Sequence, residues 1–326
     1  MVLESVMLPW LLRRLLSRAI IVFLAATATF ALVSLTPGDI TQHLDSRRIT
    51  PEARERWRHD FGLDRPVPLR YLHWLGAVVR GNLGYSWLYH RNVSTVLATT
   101  LPRTLLLTGL GLLLEVLGGM TVALVQIRRP HGFVDRLAST VTLTAYALPS
   151  FWTGLLLIYL FAYRFPLFPP SHMLSPAGEL ATGWQRLGDL LPHLVLPAAT
   201  IGVAGVGAIA RYLRGSLLDE RLEHYVLAAR ARGCSMSRAM WVHALPNALL
   251  PLVTVVGMSL PFLVSGSLVV EVVFAWPGMG RAMYEAALAR DVPLLMGGTL
   301  VAATAVVAGN LAADVLYAVV DPRVRT

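Results

Sequence analysis

Six stretches of the chain stay apolar for long enough to cross a bilayer, which takes about 20 residues each. They lie at residues 12–36, 104–127, 137–163, 191–210, 247–270 and 292–320. Polar positions gather between them, and unevenly: residues 37–103 form one long polar segment, whereas the other connections are short. This pattern predicts an all-α integral membrane protein with six transmembrane helices. It divides the chain into residues 1–103, a first membrane helix with a long polar segment, and residues 104–326, a five-helix core. The first apolar stretch follows Arg13, Arg14 and Arg18 as a signal peptide would. Its uncharged run from Ala19 to Gly38 exceeds the usual ~7–15-residue signal core, so a retained helix is expected.

Composition agrees with the pattern. The 326 residues are 55% hydrophobic and 14% charged, against roughly a quarter charged in soluble domains. All 28 basic residues are arginine. Without lysine the chain cannot by itself be a P-loop ATPase, which places that amine on the nucleotide phosphates. Schiff-base and pyridoxal chemistry are excluded for the same reason. Cys234 is the single cysteine, so neither an intrachain disulfide nor a cysteine metal cluster can form.

Arginine placement sets the expected topology. With the N-terminus in the cytoplasm, fourteen arginines fall on short inside segments: Arg13, Arg14, Arg18, Arg128, Arg129, Arg136, Arg211, Arg214, Arg221, Arg230, Arg232, Arg238, Arg323 and Arg325. The short outside segments hold Arg164, Arg186, Arg281 and Arg290, and a loop as long as 37–103 is largely exempt from the rule. Both termini are therefore expected inside. The basic balance serves orientation, and nucleic acid is not an expected partner.

Within the outer segment, Thr50 before Pro51 predicts a capped helix over Glu52–Asp60. Tyr71, Trp74, Leu75 and Val78 recur at helical spacing over Leu69–Val79. They suit a small helical cap on the outer ends of the membrane helices, or an aromatic belt at the bilayer surface. Glu115 is the single charge between Thr104 and Ile127. A carboxylate there costs on the order of 3 kcal/mol on insertion scales. It therefore faces the bundle or a wet cavity, as a path or gate residue or as a protonated or hydrogen-bonded tie between helices. Ala198, Gly202 and Gly205 share one helix face, a pattern that lets helix backbones approach closely.

The cytoplasmic segment between the fourth and fifth stretches is charged and rich in alanine and glycine. From Asp219 to Gly233 acids come first and Arg230 and Arg232 last, the order a helix dipole favours. Gly233 is placed to end that helix in a left-handed turn. Ser237 is expected to cap a second short run, and Leu245–Pro246 to lead into the fifth membrane helix. Ala228, Ala229 and Gly233 would form a flat exposed face suited to a partner's groove. On residues alone, an ordinary basic loop remains the alternative.

"AARARG" and "HALP" here resemble the coupling loop of ABC importer permeases. More narrowly, the chain resembles the dipeptide/oligopeptide/nickel permease family throughout its length. The pieces that carry the likeness are "LTPGD" (35–39), "FGLDRPVPLRYLHWL" (61–75), "RGNLGYS" (80–86), "LPSFWTG" (148–154), "HLVLPA" (193–198), "VVFAWPGMGRAMYEAALARDVPLL" (272–295) and "DVLYAVVDPRVR" (314–325). Leu227 stands where the wider family has glutamate, Asn82 where Asp is usual, and Ile40 where a proline often follows Gly-Asp.

The resemblance implies a type I ABC importer permease fold in a bacterial inner membrane. It implies a coupling loop at about 214–246, with Leu227, Ala228, Ala229, Gly233 and Pro246 meeting the ATPase. The implied partners are a homologous second permease, two cytoplasmic ATPases and an extracytoplasmic binding protein, besides membrane lipid. No cofactor is expected on this chain, since ATP and magnesium belong to the ATPases. Such a subunit is not an enzyme; it moves peptides, with nickel or another metal chelate as the alternative cargo. Glu115, Glu271, Trp276 and Gly278 are candidate gate or path residues, with 271–285 as part of an outer gate or docking rim. Rival readings are a self-contained channel or secondary carrier, and a membrane-embedded enzyme. The halves show no inverted repeat of the kind common in secondary transporters, and no H-E-x-x-H or G-x-S-x-G pattern occurs.

Overall fold

Helices make up nearly all of the computed structural model, which describes residues 2–35, 66–265 and 268–320. In chain order they are α1 (Val2–Leu35), α2 (Val67–Val79), α3 (Val93–Gln126), α4 (Phe133–Ala147), α5 (Ser150–Ile158), α6 (Pro176–Leu180) and α7 (Gly183–Glu220). There follow α8 (His224–Ala231), α9 (Met236–Ala239), α10 (Leu245–Ser259), α11 (Phe262–Ser265), α12 (Leu268–Val273), α13 (Met279–Leu288) and α14 (Val292–Val320). A two-stranded antiparallel ribbon, β1 (Tyr85–Ser86) and β2 (Arg91–Asn92), lies between α2 and α3. The expected Thr50 cap, the Glu52–Asp60 helix and Ile40 lie outside the described residues, as do Arg323 and Arg325.

Among the described residues, four helical segments are long and apolar enough to cross a membrane: residues 16–35, 93–126, 183–220 and 292–314. Helix α4 and the helical run Ser150–Arg164 make a fifth if taken as one span, but they bend by 106°. The bend falls at Leu148–Pro149, where both residues leave helical geometry with ψ near 136°. The residue before a proline is pushed toward extended geometry by the ring. The expected span over 247–270 is interrupted. Helix α10 stops at Ser259, and α11 and α12 are short pieces beyond it. Pro261 at that break lacks an amide hydrogen. Beyond it, Thr108 Oγ1 donates to the Leu263 carbonyl at 2.7 Å, supplying a partner that a continuous helix would not need.

The chain divides into two compact units. The first comprises Met1–Leu101 and Ala282–Val307. In it α2 forms as its spacing predicts, and its aromatics turn toward α1. The rings of Phe30 and Tyr71 meet edge-on at 5.2 Å, Phe30 and Trp74 lie 5.6 Å apart, and Thr27 Oγ1 is 2.7 Å from the Tyr71 hydroxyl. This favours the helical-cap reading. Asp291 precedes α14 and caps it through the Leu294 amide, while its other oxygen accepts from Ser86 Oγ at 2.6 Å and the Leu88 amide.

The second unit comprises Pro102–Arg281 and Ala308–Thr326. Its axis is α7, whose 38 residues extend about 57 Å at ~1.5 Å per residue. That is nearly twice the ~30 Å hydrocarbon core, so one or both ends project into water. Helix α3 packs on α7 through small residues on both sides. A Cβ added to Gly111, Gly118 or Gly119 would overlap Ile201, Val206 or Ile209, and one on Gly202 would overlap Leu114. The small-residue face read from the sequence is a close helix crossing.

Candidate functional site

The segment from Arg214 to Pro246 is built as a rigid projection from the end of α7. Helix α7 ends at Glu220, a turn covers Arg221–Glu223, and α8 begins at His224. The single helix expected from Asp219 to Gly233 is therefore two. Glu223 stands at the start of α8 and Arg230 in its last turn, so the dipole argument survives for the shorter helix. Gly233 adopts φ +89°, and the Cys234 amide reaches back to the Ala229 carbonyl at 3.1 Å. This left-handed stop is what the sequence predicts. The next cap is Ser235, whose hydroxyl accepts from the Arg238 amide, and not Ser237 as expected. A wide helical turn over Met240–Ala244 then leads into α10, with Pro246 in its first turn, where a missing amide hydrogen costs nothing.

Beneath the loop lies an apolar core. Val226, Ala239 and Ala244 are fully buried, packed with Ala123, Ile209, Leu213 and Leu217. Tyr225 donates to Glu220 and accepts from Asn247 Nδ2 at 2.8 Å, tying α8 to α10. Partial burial, and then the Glu220 carboxylate, hold the Tyr225 phenol above its ordinary range, so it stays a neutral donor.

The core corrects one expected exposure. Ala229 is only 3% exposed, facing inward beside Val226. The exposed face is made by Leu227, Ala228, Arg230, Ala231, Arg232 and Gly233. Leu227, in the position where the wider family has an acid, is 46% exposed. Leu222, Trp241 and Val242 are also exposed around the loop. Apolar and basic side chains are thus exposed together on this loop.

Glu115 lies on α3 against Gly205 of α7, where any Cβ would overlap its carboxylate. It is half-buried, and among the described residues no side chain or amide hydrogen-bonds to it. Its contact with α7 is one of packing.

Glu271, Trp276 and Gly278 come together, and all three are buried. The Glu271 carboxylate has no exposed surface; it accepts from Thr104 Oγ1 at 2.7 Å and from the Arg281 amide at 2.9 Å. Thr104 Oγ1 in turn accepts from the Met279 amide at 2.7 Å, and Trp276 Nε1 donates to the Arg103 carbonyl at 3.0 Å. A Cβ at Gly278 or Gly280 would collide with the carboxylate. Glu271 is the buried hub of a folded corner at the start of the 271–285 segment. Sequence reading missed Thr104, whose hydroxyl resembles any other in an apolar run. It also missed the Asp135–Arg214 ion pair.

A helical membrane protein with glycine-packed spans and a folded loop beyond the end of its longest helix has the form of a transport permease. The chain belongs to the binding-protein-dependent transport system inner membrane component family, whose model matches residues 115–326, and the N-terminal model of the same system matches residues 7–108. It is 35% identical to the dipeptide transport system permease protein of Escherichia coli K12. It is 34% identical to the di/tripeptide transport system permease protein of Pseudomonas aeruginosa and 33% identical to the oligopeptide transport system permease protein of Bacillus subtilis. Each likeness covers 98% of this chain and 99% of the relative.

Proposed function

We propose that this chain is the membrane-spanning permease subunit of an ATP-driven importer of di- or oligopeptides. In this reading six spans place both termini in the cytoplasm, and the cargo arrives on an extracytoplasmic binding protein. A second, homologous permease completes the pathway, and two ATPases grip the 214–246 loop. ATP and magnesium stay on those ATPases, whose closure moves the loop and turns the cavity outward. No bond in the cargo changes. End-to-end similarity to three peptide permeases carries the peptide assignment. The exposed Leu227–Gly233 face over a packed alanine core supports the docking role.

The decisive test is growth. Deleting the gene in an amino-acid auxotroph should abolish growth on the required residue supplied as a di- or oligopeptide, with growth on the free amino acid retained. Normal peptide growth together with loss of a nickel enzyme's activity, restored by excess nickel, would replace peptide with a metal chelate.

A further inference from the structure

A cavity of about 380 Å³ opens beside the loop, between the ends of α3 and α7 and the turn that follows α9. Its walls divide by chemistry. Leu124, Ile127 and Met240 line it with apolar side chains, Trp241 adds an exposed aromatic ring, and Arg128 and Arg221 add two cationic groups. No carboxylate is among the side chains that line it, and among the described residues neither guanidinium has an ion-pair partner. The volume falls in the roughly 300–1,000 Å³ range of small-molecule sites.

We propose that this cavity is a binding site for one anionic phospholipid. Its phosphodiester sits between Arg128 and Arg221, and the start of an acyl chain lies on Leu124, Ile127 and Met240. Three features select lipid over other occupants. Two of its walls are the ends of helices that are apolar enough to span. Paired guanidiniums bind phosphate oxygens bidentately, and basic pockets between membrane helices take anionic headgroups. A tryptophan at the rim suits the same polar–apolar boundary. Because the loop core shares Leu217 with the cavity wall, a bound lipid would brace the loop from the membrane side. The proposal requires only that α3 and α7 cross the bilayer. It stands whether the cargo is peptide or metal, and whichever end of the chain faces the cytoplasm.

Native mass spectrometry of the full chain, extracted with whatever subunits co-purify, tests it with palmitoyl-oleoyl phosphatidylglycerol and the matching phosphatidylcholine as probes. One phosphatidylglycerol should be retained in preference to phosphatidylcholine. Arg128→Gln with Arg221→Gln should lower that retention roughly tenfold or more, while the double lysine replacement should keep much of it. Arg129→Gln, which removes a neighbouring surface charge outside the cavity, should leave retention unchanged. Equal retention of the two lipids, or undiminished retention in the double glutamine variant, overturns the proposal.

Discussion

Asp135 and Arg214 show how a residue can be seen in the sequence and its role missed. Arg214 counts there only as one more inside positive charge. In the fold its Nε and Nη2 grip both oxygens of Asp135 at 2.9 and 2.7 Å, and the His131 amide donates to the same carboxylate. Asp135 is 3% exposed. Removing one partner of a buried pair costs about 3–5 kcal/mol, because the other charge is left uncompensated, whereas replacing both by apolar groups is often neutral. Arg214→Leu should therefore lower the thermal midpoint of the solubilised protein markedly, and Asp135→Leu added to it should restore most of the loss. A single variant as stable as the wild type would show that the pair contributes nothing. Seventy-nine positions separate the partners, so no local pattern announces them. Gly233 is the opposite case: its left-handed φ is dictated within four residues, and the sequence shows it.

At the scale of elements, period and punctuation were legible and faces were not. Helix α2, the glycine crossing of α3 on α7, and the stop at Gly233 all follow from local spacing. The inward turn of Ala229 does not, because alanine suits either face, and only the packing of Val226 on α7 decides which is buried. Nor does the interruption of the expected 247–270 span, where the sequence stays uncharged through a chain that stops being helical near Pro261. The corrected face changes which variants test docking. Leu227→Glu and Ala228→Glu place charge on the exposed side of α8. Surface changes of this kind usually alter stability by less than about 0.5 kcal/mol, so the loop should stay folded while ATPase co-purification falls. Ala229→Glu puts a carboxylate into the loop core, where an unpaired charge is costly, and should lose thermal stability before any interface is reached. If both exposed-face variants co-purify and transport normally, the α8 face is not where the ATPase binds.

For the whole molecule, one atom reports its sidedness. Helix α7 is about 57 Å long by its residue count, so at least one end must leave the membrane. Its C-terminal part carries Arg211, Arg214 and the turn residue Arg221, and the loop beyond it adds Arg230, Arg232 and Arg238. Short arginine-rich connections are retained on the cytoplasmic side, so the end bearing α8 and α9 should face inward. Cys234, the chain's single thiol, sits partly exposed immediately after Gly233. A membrane-impermeant maleimide should therefore label the protein in inside-out vesicles stripped of ATPase and leave intact spheroplasts unlabelled. Adding back the ATPase should slow labelling, since Cys234 follows directly on the exposed α8 face. Labelling from the outside would reverse the topology and, with it, remove the loop from any cytoplasmic ATPase.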